Sequence, residues 1–149
     1  MCLDEYARIA YRFVYNTALT SRLYGEQTYR MPMPHAEHAV VDIRKLRDYC
    51  LNPMHDEGQH KARVFAAALG MTADDAEALR DFLLQAVKTA DAQLGRRDVY
   101  GQRYTVDFLL AWHDKQTMVR SGWIIEHHTD TPHLTTCYPL WPDEVMYGK

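Results

Sequence analysis

The sequence predicts an α+β domain, with N-terminal helices packed on a C-terminal antiparallel β-meander of three or four strands. Three observations predict it. Apolar residues recur at three- and four-residue steps as far as Leu94, the period changes to two after Gly95, and polar turns separate the alternating stretches that follow.

The first helix runs from Asp4 to Leu23, with Tyr6, Ile9, Ala10, Phe13, Val14, Thr17 and Ala18 on one apolar face and Gly25 as its stop. Residues 26–41 form an extended connector, because Met31-Pro32-Met33-Pro34 excludes regular helix. Asp42 caps a second helix that buries Ile43, Leu46, Tyr49 and Cys50 and ends at Asn52-Pro53. A third begins near Glu57-Gly58, carries Ala62, Phe65, Ala66 and Leu69 inward, and closes at Gly70. Thr72-Ala73-Asp74-Asp75 caps a fourth, predicted to reach Leu94, with Ala76, Leu79, Leu83, Ala86, Val87 and Ala90 apolar. Tyr104, Val106 and Phe108 then open a strand that extends through Trp112. His113-Asp114-Lys115-Gln116 turns, Thr117–Glu126 forms a second strand, Thr129-Asp130-Thr131-Pro132 turns again, and Leu134–Leu140 forms a third. Residues 42–140 read as the core of a single domain spanning 1–149, and 141–149 as a tail.

At 149 residues, 47% apolar and 25% charged, the chain has an ordinary globular composition. No apolar run is long enough to span a bilayer and no signal peptide opens the chain, so cytoplasm is the expected location and no membrane partner is expected. Cys2, Cys50 and Cys137 are scattered, with no C-x-x-C spacing, which argues against a disulfide framework or a zinc knuckle. Net charge is −3, so a nucleic-acid site has to be a local cluster rather than a global basic field.

The strongest local cluster is His55-Asp56-Glu57-Gly58-Gln59-His60-Lys61-Ala62-Arg63. It sets two imidazoles, an ammonium and a guanidinium at a loop-to-helix junction, where free backbone N–H groups and the positive dipole end favour an anion. Imidazole exchanges protons near neutral pH, and Lys and Arg are fixed cations, so the cluster points to phosphate chemistry. A second group, His127, His128, His133 and Asp130 with His113 and Asp114 nearby, matches no metal-ligand spacing, and neither a metal nor another cofactor is expected.

The string Lys45-Leu46-Arg47-Asp48-Tyr49-Cys50-Leu51-Asn52, then His55-x-x-Gly58-x-x-Lys61-Ala62-x-x-Phe65, then Leu69-Gly70, resembles a bacterial and phage-borne family classed as domain of unknown function 6883. Tyr100-Gly101-x-x-Tyr104, Trp123-Ile124-Ile125 and Pro132-x-Leu134-x-Thr136-x-Tyr138 extend the likeness over roughly residues 38–139. The chain departs from that pattern at Cys50, where relatives show Leu, and at the acidic pair Asp56-Glu57.

A looser, fold-level likeness is to the barnase–EndoU–colicin–RelE group of ribonuclease toxins. It implies metal-independent RNA cleavage, with RNA as substrate and a cognate inhibitor protein as partner. In that scheme His55 is the general base or acid and Lys61 neutralises the phosphate. Thr136 and Tyr138, two apart on a strand, orient it or share proton transfer, with His60, Arg63, Arg120 and Trp123 in binding roles. Each has a structural rival: His55 as a helix cap, Gly58 as a backbone turn, Trp123 and Tyr138 as packing residues. The alternative function is a noncatalytic protein-binding module or antitoxin-like partner. Tyr6, Tyr11 and Tyr15 supply a face for self-association.

Overall fold

The computed structural model describes residues 30–140. The expected helix Asp4–Leu23, its tyrosine face and the tail 141–149 lie outside the described residues.

Five strands, β1 (Arg30–Pro32), β2 (Asp91–Arg97), β3 (Gly101–Trp112), β4 (Lys115–Glu126) and β5 (Pro132–Pro139), form one sheet in that order, every neighbour antiparallel. A π-helical segment Lys45–Cys50 and helices α1 (Gln59–Leu69) and α2 (Ala76–Thr89) pack on one face. The α+β class stands, with two differences in order: β1 precedes the helices, and β2 occupies residues expected to extend the last one.

Helix α2 begins as expected. Thr72 and Asp75 form a capping box, the Thr72 N–H donating to Asp75 Oδ2 at 3.0 Å. Leu79, Leu83, Ala86 and Val87 are buried along it. It stops at Thr89 because the next residues pair on both sides, Ala92 opposite Met31 of β1 and Val106 of β3. Ala92 is fully buried there. The helix preference of Ala, Gln and Leu yields to that cross-strand pairing.

The expected second helix forms with a wider hydrogen-bond step: Leu51 N–H donates to Leu46 C=O at 2.8 Å. Asp42 caps its start through Oδ1, 3.0 Å from Arg44 N. In α-helical geometry the Tyr49 carbonyl takes its hydrogen from residue 53, which is proline and has none. That carbonyl instead faces α1, where a Cβ on Gly58 would lie 2.0 Å from it. Gly58 has an ordinary φ of −81°. It serves close approach, not a special turn conformation.

Strands β3 and β4 meet across the two-residue turn His113-Asp114, pairing Trp112 with Lys115 and, five steps on, Asp107 with Arg120. Between β4 and β5 the register slips: Gly122 pairs with Thr136 and Trp123 with Leu134, so Thr135 is an extra residue, a β-bulge. The bulge lets Leu134 and Cys137, three apart, both face the helices in the core with Leu46, Phe65, Val106 and Trp123. Thr136 and Tyr138 therefore project to the opposite face.

Candidate functional site

At the predicted anion seat, the turn into α1 folds back onto His55. His55 Nδ1 accepts the N–H of Glu57 at 3.1 Å and of Gly58 at 3.0 Å, and its ring stands edge-on to Tyr49 at 4.9 Å. The imidazole thus caps the turn that leads into α1, engaging two of the backbone donors ahead of the helix. Lys61 Nζ donates to Tyr49 Oη at 3.1 Å. His60 is exposed, and exposed Arg63 reaches back to Gln59 Oε1 at 3.2 Å.

Two thiols, Cys50 from the π-helical segment and Cys137 from β5, are both at 0% exposure in the one core cluster.

Thr136 and Tyr138 lie on the far side of the sheet from His55 and Lys61. Tyr138 accepts a hydrogen bond from Arg120, whose guanidinium also forks onto Asp107, Nε to Oδ1 and Nη2 to Oδ2, both at 2.9 Å. Those bonds, chiefly the one to Asp107, raise the Arg120 pKa above its ordinary value. A cavity of about 420 Å³ beside this pair is lined in part by Gln93, Thr105, Asp107, Leu109 and Met118. Thr136 Oγ1 is buried without a hydrogen-bond partner. Trp123, at 1% exposure, belongs to the core on the helix side, where its Nε1 donates to Ser121 Oγ and Ser121 donates to the Val106 carbonyl. The eight residues assigned to one RNA site thus divide between two faces and the interior.

A third place was not singled out from the sequence. Asp98 organises the turn between β2 and β3: its Oδ1 accepts the N–H of Tyr100 at 2.9 Å and of Gly101 at 3.3 Å. Its Oδ2 takes Arg103 Nε at 2.7 Å and Arg96 Nε at 3.2 Å. The Arg103 guanidinium, aided by the Tyr100 N–H, pulls the Asp98 carboxyl down to about 2. His127 braces the same turn, Nε2 donating to the Asp98 carbonyl at 2.8 Å and N–H to the Tyr100 carbonyl at 3.3 Å. Gly101 permits the fit, since a Cβ there would sit 2.3 Å from the Ile125 carbonyl. On this fixed backbone Val99 and Tyr100 stand 84% and 68% exposed, beside exposed Arg96 and Arg97. The signal was present in Asp98-x-x-Gly101 ahead of an alternating strand, a turn signature.

Of the remaining histidines, His113 and His128 occupy turns with φ of 53° and 67°, and His133 is exposed on β5. Among the described residues no three His, Cys, Asp or Glu side chains are grouped to hold a metal ion, and no helix is long and apolar enough to cross a membrane.

The class defined by these features is an α+β domain: a five-stranded antiparallel sheet, helices on one face, and a braced aromatic turn at one end. The model of the family described as Domain of unknown function (DUF6883) matches residues 32–141, and the chain belongs to that family. No curated protein and no solved structure matches it.

Proposed function

We propose that the chain acts as a noncatalytic binding module that grips a protein partner with the β2–β3 tip. The observation that carries this reading is the exposed Val99–Tyr100 pair on a backbone held by Asp98, Arg96, Arg103 and His127. A rigid aromatic side chain loses little conformational entropy on binding, which is why such residues anchor interfaces. Flanking arginines suit an acidic, partly apolar segment of the partner. The hydrolytic alternative has less support, because His55 is engaged in capping and Thr136 and Tyr138 lie across the sheet from it.

The test has two arms. Wild-type protein and Lys61→Ala are incubated with total RNA in chelator, and both are expected to leave it intact; cutting by wild type alone overturns the reading in favour of a nuclease. The protein, tagged in its native host, is expected to co-purify with a specific partner that Tyr100→Ser loses at unchanged Tm. Retention of every co-purifying protein by Tyr100→Ser removes the tip from the interface.

A further inference from the structure

We propose that residues 4–23 of this chain dock as an amphipathic helix on the sheet face opposite α1 and α2, closing over Met118, Leu140 and the hollow beside Asp107. This docking does not depend on the β2–β3 tip.

Strand alternation places Thr105, Asp107 and Leu109 of β3, and Met118, Arg120 and Ile124 of β4, on that face. The helix-side core holds their neighbours Val106, Val119 and Trp123. A sheet face turned to water is ordinarily polar. This one carries Met118 at 2% exposure and Leu140 at 5%, with Ile124 also buried. Met118 and Leu140 form an apolar cluster of their own with Tyr138, and the Leu140 N–H donates to the Met118 carbonyl at 2.8 Å. On the same face Thr136 Oγ1 is buried with no hydrogen-bond partner among the described residues. Buried apolar side chains and an unanswered hydroxyl call for a cover, and α1, α2 and the π-helical segment pack on the other side.

The place where the described chain begins selects the occupant. Arg30, on the edge strand β1, lines the cavity of about 420 Å³ together with Gln93, Asp107, Leu109 and Met118. The chain leading into Arg30 therefore arrives beside this hollow. Helical spacing gives 4–23 a stripe of Tyr6, Ile9, Phe13, Val14 and Thr17, with Arg8 and Arg12 on the opposite side. Twenty helical residues span about 30 Å, within the roughly 40 Å of the twelve-residue strands β3 and β4. Residues 24–29 reach up to about 20 Å, enough to cross the three strand spacings, about 15 Å, from β1 to β4. Ile9, Phe13 and Val14 supply the apolar surface that Met118 and Leu140 lack, and the hydroxyls of Tyr6 and Thr17 suit Thr136.

Exposed Leu109, beside the cavity, takes the probe. The full chain carrying Leu109→p-benzoylphenylalanine is irradiated, run on a denaturing gel and digested. The expected product is a cross-link within one chain to a peptide from 4–23. In parallel, Phe13→Asp is expected to speed peroxide oxidation of Met118 on the order of ten-fold, while Met71, 1% exposed in the helix-side core, stays as protected as in wild type. Acceleration at both methionines reports global unfolding of that variant, and the cross-link, made with 4–23 unaltered, then decides the matter. A cross-link into 141–149, a cross-linked dimer, no cross-link to any peptide from 4–23, or Met118 oxidised at the wild-type rate in Phe13→Asp overturns the inference.

Discussion

Replacing Gly58, the N-cap of α1, with alanine should destabilise this protein by more than the ordinary N-cap preference for glycine over alanine. Its φ of −81° suits any residue, so the backbone raises no objection. The new methyl would lie 2.0 Å from the Tyr49 carbonyl oxygen and 2.8 Å from its carbon. Restoring even the shortest tolerable contact moves α1 and the π-helical segment apart by at least about 1 Å, and both are backbone, with no rotamer to yield. Overpacking of this kind costs roughly 1–3 kcal/mol, and the backbone obstacle places Gly58→Ala near about 3 kcal/mol. For a chain of this size that lowers Tm by about 10 °C. Urea unfolding followed by circular dichroism measures the first figure and a thermal scan the second. Gly70→Ala is the control: Gly70 has φ of +72° and open space around it, so only about 1 kcal/mol of backbone strain is expected. A Gly58→Ala protein as stable as wild type, or more so, refutes the argument from close approach.

Three further outcomes are expected. His55→Ala removes the acceptor for two helix-start N–H groups and should cost about 1 kcal/mol in urea unfolding, with His55→Asn recovering part of it. The Asp98 carboxyl titrates at about 2 in the folded protein, below its unfolded value, so its contribution is complete above the unfolded pKa and is lost as pH falls through about 2. Urea midpoints measured from pH 5 to 2 should accordingly fall less steeply for Asp98→Asn than for wild type. Arg120→Met strands the largely buried Asp107 carboxylate and should cost about 1–2 kcal/mol, the guanidinium's partial exposure softening the loss. The Arg120→Met/Asp107→Leu double variant should be more stable than Arg120→Met, and strict additivity of the two single changes would show the pair to be uncoupled.

Helix positions were legible where periodicity, caps and glycine stops agreed, as in Gln59–Leu69 and the buried face Leu79, Leu83, Ala86 and Val87. Strand β2 was not, because Asp91-Ala92-Gln93-Leu94 continues a helical composition and becomes a strand only through its partners Met31 and Val106. The Asp107–Arg120 pair was readable in principle, since the two residues are equidistant from the turn His113-Asp114. A histidine before a helix reads alike as cap or catalyst, and the bonds His55 Nδ1 accepts at 3.1 and 3.0 Å become visible only in the folded turn. That Cys50 and Cys137 share one core cluster left no local trace, because it depends on how a bulge phases one strand against a segment far away in sequence.

The extra residue Thr135 has a consequence for how this strand tolerates change. It works as a half-step in a two-beat pattern: Leu134 keeps time with Trp123, while Cys137 keeps time with Ser121. Removing that one residue would leave Leu134 and Cys137 two apart, the spacing at which a regular strand puts both on one face, so each would keep its partner and its side of the sheet. A further residue inserted beside it would instead throw one end of β5 out of step, so an insertion here should do far more harm than the deletion of Thr135.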